Sequence, residues 1–455
     1  MTAILSTDRP RLLSEFSATI LLAAPLVLGQ LSAIGMNLID TVLAGHLDAH
    51  TLGAVALGSN VWVLAIITII GIMMALQPSI AQLRGAGRND EIGAVFRQAL
   101  WLAIPLGIGL GFAAAFLGPL LFGLIGVDAD LIADATSFMR AIAWGAPALS
   151  VFFALRGLTE GMGMTRPTMY FSMLGLILLG PIGYVLMYGA LGIPRLGAFG
   201  CGLATAIVLW VQCGAFALYV ARRSRFRDLN LLAHFDKPDR RTLSELLNIG
   251  APIAVTLLME AGLFVAVALT IGKLGTDIIA SHQIAINIAS VVFMVPLGIA
   301  MATTVRVGYA RGRNDGHGVR QAAAVGMMLT LAVQIVSATL LFTLPERIAS
   351  MYTDDAAVIT LAAQLLVLAA IFQLSDGVQA ASNGALRGLK DTRLPMLISG
   401  FAYWGVGMPA GLWLAFRHGL GAAGMWMGLI AGLSVAAILL TSRFWSIAMK
   451  LPVRR

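Results

Sequence analysis

Charge is sparse in this chain. Asp, Glu, Lys and Arg make up 11% of its 455 residues, where an ordinary soluble domain carries about 25%. With 59% of the residues hydrophobic, a soluble globular domain is excluded. Cysteine is nearly absent: Cys201 and Cys213 are the only two. Placed on one predicted helix they stand too far apart to bond each other, so they read as buried packing thiols. No CxxC or HExxH spacing occurs and the six His are scattered, which leaves no transition-metal signature and no expected cofactor. The net charge of +8 gathers into no basic face with interleaved aromatics, so nucleic acid is not an expected partner.

What the chain has in abundance is long apolar runs. Spans of bilayer length are predicted at 14–42, 54–80, 96–123, 131–154, 168–190, 198–221, 246–272, 277–305, 319–343, 357–385, 394–416 and 420–447. The fold class is therefore an all-α polytopic membrane protein with twelve transmembrane helices. Residues 1–30 have the basic start and apolar run of a signal peptide, but the run continues to Asp40 and reads as the first span. Positive charge orients the spans, because cytoplasmic loops retain Arg and Lys. With the N-terminus inside, the even-numbered connections and the termini hold most of it, including Arg84, Arg88, Arg156, the cluster from Arg222 to Arg241, Arg306, Arg313, Arg387, Arg443, Arg454 and Arg455; the opposite loops hold Arg195, Lys273, Arg347 and Arg417. Both termini are expected to be cytoplasmic, and the lipid bilayer is the first partner.

An internal repeat divides the chain. Gly87-Arg88-Asn89-Asp90 recurs as Gly312-Arg313-Asn314-Asp315, Ala24-Pro25 as Ala251-Pro252, and Ala154-Leu155-Arg156-Gly157-Leu158 as Ala385-Leu386-Arg387-Gly388-Leu389. Three matches in order at nearly constant offset make two copies of one unit. Six spans per unit is an even number, so the copies run parallel. The expected domains are an N-terminal six-helix bundle at 1–221, a cytoplasmic linker at 222–245 and a C-terminal six-helix bundle at 246–455. Pro25 and Pro252, at matching places inside spans, are expected helix bends.

Against the apolar background, Asp40, Glu260 and Asp376 stand well inside spans. A charge at bilayer depth costs several kcal/mol and is usually turned toward a protein interior or a watery cavity. Other polar residues share helical faces with them: Gln30 and Asn37 with Asp40; Thr256 with Glu260; Gln379, Asn383 and Arg387 with Asp376; Gln283, Asn287 and Ser290 together on the eighth span. Such faces can line a cavity, or they can bond helices to one another. Buried acids without a metal motif can carry protons, or bind a hard monovalent cation with carbonyl and amide oxygens. A cationic ligand could use the same negative charge and so compete with the ion.

Leu38-Ile39-Asp40-Thr41-Val42-Leu43-Ala44-Gly45, Ser281-His282-Gln283, Arg306-Val307-Gly308 and Gln373-Leu374-Ser375-Asp376 with Gly384-Ala385-Leu386-Arg387-Gly388 together resemble the multidrug and toxic compound extrusion (MATE) family, more closely its bacterial NorM-like branch. The resemblance covers nearly the whole chain. It implies two six-helix bundles facing each other in a V in the bacterial inner membrane, functional as a monomer, exporting organic cations and hydrophobic drugs in exchange for sodium ions or protons. By the same resemblance Glu260 and Asp376 are the ion-binding acids, Asp40 is a proton or substrate coupling group, Asp355 is an acid of the substrate mouth and Thr205 is a retained polar neighbour; the shared helical faces make Gln30, Asn37, Thr256, Gln283, Asn287 and Gln379, with Thr205, candidates for supporting polar lining. Where similar proteins carry two Asn in the fifth span, this chain has Leu179 and Gly183 around Pro181, which removes oxygen ligands from beside Asp40. Two alternatives remain: a lipid-linked precursor flippase of the same superfamily, which calls for a cationic cavity, and an integral-membrane enzyme, for which no nucleophile with its base is visible.

Overall fold

A computed structural model of the chain describes residues 9–125, 129–231 and 236–452. Arg454, Arg455 and residues 232–235 of the linker lie outside them. Twelve helical spans follow in order: α1 Arg9–Leu47, α2 Ala49–Gly85, α3 Asp90–Ile125, α4 Ala129–Ala143 with Ala146–Gly161, α5 Arg166–Tyr188, α6 Gly197–Arg222, α7 Arg240–Gly272, α8 Thr276–Gly312, α9 Gly316–Thr343, α10 Ala356–Gly388, α11 from Arg393 to Arg417, and α12 Gly421–Ala448. Helices are what apolar sequence must form in lipid, because every backbone N–H and C=O then finds its partner within the segment. The halves of α4 meet at 45° around Gly145 and Pro147. The span α11 is less regular: π-helical stretches, Phe401–Gly407 and Trp413–Arg417, flank Met408–Leu412, which carries Pro409. A proline cannot donate to the preceding turn, and the wider turn beside it absorbs the missing bond.

Contacts divide the chain into two compact units, one made of Met1–Val27 with Val255–Arg455 and the other of Leu28–Ala254. Their edges fall inside α1 and α7, two residues beyond Pro25 and Pro252, and not at the 222–245 connection expected to separate domains. Packing explains the shift. The connection is strapped to α3, with Arg97 Nε donating to Asp236 at 2.6 Å, Trp101 Nε1 to the Asp236 carbonyl at 2.8 Å, and Gln98 Nε2 to the Lys237 carbonyl at 2.9 Å. The first turns of α7 then pack where Gly71 and Gly250 leave room: a Cβ on Gly71 would stand 2.3 Å from Ala254 Cα, and one on Gly250 2.3 Å from the Ile72 carbonyl oxygen. In the other unit the same arrangement recurs. A Cβ on Gly298 would lie 2.5 Å from Val27 Cγ2, Ala23 and Leu26 are buried against Ile299 and Ala302, and Arg306 is paired with Glu15. Gly71 and Gly298, like Val27 and Ala254, are 227 positions apart, the offset of the Ala-Pro repeat.

The C-terminal part of α1 is fastened within its unit. Tyr188 donates to the Leu43 carbonyl at 2.9 Å, and Arg195 Nη2 donates to Asp48 at 2.8 Å. Asp48 also caps α2, accepting from the Thr51 backbone N–H at 2.6 Å. That backbone bond, then the Thr51 hydroxyl and the Arg195 charge, hold the Asp48 carboxyl below the usual carboxylate range.

Gly71→Val and Gly298→Val should each lower the thermal stability of the detergent-purified protein by about 1–3 kcal/mol or more through overpacking. Gly109→Ala, where a Cβ meets nothing within 4 Å, should not. Comparable melting temperatures for all three would contradict the close approach.

Candidate functional site

Two polar clusters lie within the helices, one in each unit. The first is built on α7, α10 and α11. Asp376 is 5% exposed and Gln379, one turn on, is 2% exposed; Asn383 and Arg387 continue the same face of α10. Glu260 on α7 interacts electrostatically with Asp376 and Arg387. Between them stands Tyr403, fully buried in the first π-helical stretch of α11. Its hydroxyl reaches the Glu260 carboxylate and is hydrogen-bonded by Gln379 Nε2. Thr256, one turn before Glu260, is buried.

Sequence reasoning paired Glu260 with Asp376 and missed Tyr403. Its signal was a single tyrosine in an apolar span, and only the altered helical phase of the π-turn makes its direction intelligible. Arg387 was seen as the end of a stripe; its position beside Glu260 makes it the counter-charge of the site.

The second cluster is in the other unit. Glu160, 1% exposed, is paired with Arg156 at 2.6 Å and accepts from Gln77 Nε2 at 2.9 Å and Thr168 Oγ1 at 3.2 Å. Arg156 Nη2 donates to Gln30 Oε1 at 3.0 Å. Side chains of α1, α2, α4 and α5 are thereby joined. Glu160 went unnoticed because the fourth span was expected to end at 154, whereas the helix runs to Gly161.

Farther along α1, Asp40 Oδ2 accepts from Thr205 Oγ1 at 3.2 Å, while Oδ1 is buried without a hydrogen bond. Leu179 packs fully buried against Ala204 and Val208, and a Cβ on Gly183 would come within 2.7 Å of Leu43. Hydrocarbon thus fills the wall where amides would stand. Asn37 is exposed on α1, and Gln283 and Asn287 are exposed on α8, where Asn287 Nδ2 donates to the Gln283 carbonyl at 3.3 Å. Asp355 caps α10, accepting from the N–H groups of Ala357 and Val358 at 2.8 and 3.3 Å. Cys201 and Cys213 are free and buried. Among the described residues no group of three His, Cys, Asp or Glu could hold a metal ion.

The MatE family profile matches residues 25–185 and again 252–413, one match in each half of the repeat. The chain is a member of the MatE family. It is therefore a multi-pass membrane transporter and not an enzyme. Among its relatives, the probable multidrug resistance protein NorM of Xanthomonas campestris pv. campestris is 49% identical over 96% of this chain and 95% of its own. The multidrug resistance protein PmpM of Pseudomonas aeruginosa is 40% identical over 95% and 92%. Among solved structures, a MATE protein crystallised in complex with MaL6 superposes with a TM-score of 0.88 at 20% identity, covering 96% of this chain and 97% of that one. An outward-facing multidrug resistance MATE transporter of the MOP superfamily gives 0.88 at 20% identity, covering 96% of each. At that identity the likeness is one of fold. The repeat of this MatE chain places Arg156 and Arg387 in equivalent positions, yet their partners differ. Arg156 is held by its own helix through Glu160. The residue matching Glu160 is Asp391, which bonds Arg443 at 3.0 Å, leaving Glu260 to face Arg387.

Glu160→Gln should leave Arg156 buried without its counter-charge and cost about 3–5 kcal/mol. Replacing both, as Arg156→Gln with Glu160→Gln, should recover much of that loss in thermal unfolding of the purified protein. A double variant no better than the single one would show that the pair is not the unit of stability.

Proposed function

We propose that the chain is a cation-coupled multidrug antiporter of the bacterial inner membrane, expelling amphiphilic organic cations from the cytoplasm by alternating access, with both termini cytoplasmic and one chain as the working unit. The reading is carried by one observation: Glu260 from α7, half-buried, and Asp376 from α10, buried, come together around the buried Tyr403. Two carboxylates brought together among helices that otherwise carry little charge attract positive charge to one place. The names of the relatives, multidrug resistance proteins NorM and PmpM, support drugs as cargo.

The coupling follows from shared charge. A sodium ion or proton at Glu260 and Asp376 neutralises the attraction that holds an organic cation, and a bound organic cation weakens the site for the ion. The two effects are equal by linkage, so entry of one favours release of the other. Asp40, bonded to Thr205 and with the Cys201 thiol beside it, is a second acidic group for a proton or for the cationic part of a substrate.

The test is transport in vesicles. Protein reconstituted with a fluorescent organic cation should move the dye when a sodium or a proton gradient is imposed. Glu260→Gln and Asp376→Asn should each reduce that rate at least tenfold. Dye movement indifferent to both gradients would end the antiport reading, and full activity in both variants would end the site assignment.

A further inference from the structure

Where α6 ends, the chain turns along the protein with arginines outward. Arg222 closes the helix, a short turn Ser224–Arg227 follows, and the segment is anchored from below by Phe226, Leu229 and Leu231, all buried. It lies on α3. Arg97 Nη1 donates to the Asn230 carbonyl at 2.5 Å, and a Cβ on Gly93 would stand 2.0 Å from the Leu229 carbonyl oxygen, so glycine is what admits the segment there. Asn230 makes the bend in the left-handed region, at φ 47°, which Asn tolerates better than most residues. On this fixed turn Arg222, Arg223, Arg225 and Arg227 are all exposed. Asp228 is the one acid from 222 to 231. Among the described residues no carboxylate pairs with any of the four arginines: Asp236 is taken by Arg97, and Asp239 accepts from the backbone N–H groups of Arg241 and Thr242. Arg223 lies over the Tyr219 ring, 5.3 Å from its centroid.

The outer face of α6 leads straight to this cluster. Trp210, Val211 and Leu218 are exposed on a helix long and apolar enough to cross a membrane, so they meet acyl chains. Between them a Cβ on Gly214 would touch nothing within 4 Å, which leaves a notch in that face. Arg222 follows Leu218 by one turn on the same side. From Val211 to Arg222 the helix rises about 16 Å, and one leaflet of hydrocarbon is about 15 Å thick. Apolar contact for a lipid tail therefore ends where the positive charge begins.

We propose that Arg222, Arg223, Arg225 and Arg227 seat the headgroup of an anionic phospholipid whose tails lie along the exposed face of α6. Guanidinium forks match phosphate oxygens two at a time. A zwitterionic lipid carries its own cation beside the phosphate and gains less from four arginines. Because the turn is already held by α3, little ordering is left to oppose binding. A soluble anion would use the charge alone; the apolar face that runs into it favours a lipid.

The experiment is native mass spectrometry of the full-length protein in detergent, offered phosphatidylglycerol and phosphatidylcholine with the same tails at equal concentration. Wild type should retain phosphatidylglycerol over phosphatidylcholine roughly tenfold. The double variant Arg222→Gln with Arg225→Gln should bring the two lipids to within about twofold of each other. Arg347→Gln with Arg417→Gln removes two exposed arginines elsewhere on the chain and should keep the wild-type preference. Equal retention of both lipids by wild type overturns the proposal, and so does an equal fall in preference in the two double variants or none in either. Release of phosphatidylglycerol from wild type by an equal concentration of inorganic phosphate marks a site for soluble anions and overturns the lipid assignment.

Discussion

Every feature of this molecule that bears on function answers one constraint: a charge inside the membrane must have a counter-charge or a hydrogen-bond shell within the protein. The two equivalent arginines meet it in opposite ways. Arg156 is closed off by Glu160, Gln77, Thr168 and Gln30, a set in which Glu160 already accepts three hydrogen bonds. Arg387 is answered across helices by the charge of Glu260, next to a second acid, Asp376. The repeat supplies the same scaffold twice; the position of one acid closes one copy into a structural knot and leaves the other as the site proposed for the ion.

The backbone serves that asymmetry. Glycines at 71 and 298 let helix segments approach to contact distance, so that the beginning of α1 packs in the unit that holds α8 and the beginning of α7 in the unit that holds α2. Glu260 sits just past this crossing on α7, and Gln30 just past it on α1. Each is presented to the arginine of its own unit, the first as a charge and the second as a neutral amide. Gln30 accepts a hydrogen bond from Arg156, whereas Glu260 acts on Arg387 through its charge.

Much of this was legible in the sequence because apolar length and rare charge are strong signals in a membrane chain. The twelve spans and the parallel repeat could be read from apolar length and spacing, and the partnership of Glu260 with Asp376 was implied by the family resemblance. Glu160 could not, because its helix outlasts the apolar run that announces it. Tyr403 could not, because the π-turn around Phe401–Gly407 changes which way it points. The unit edges at Val27 and Ala254 were hidden as well: a polar linker looks like a boundary, and nothing in its composition says that Asp236 and Lys237 are tied to α3. Asp355 shows the opposite limit, since a mouth acid and a helix cap are the same residue type in the same place.

Mutual exclusion of ion and drug is the claim on which the account turns, and equilibrium displacement measures it without any gradient. Purified protein loaded with radiolabelled tetraphenylphosphonium should release it as sodium or acid is added. Release should be lost in the Glu260→Gln and Asp376→Asn variants. Simultaneous binding, in which saturating ion leaves the affinity for tetraphenylphosphonium unchanged in wild type, would contradict the account.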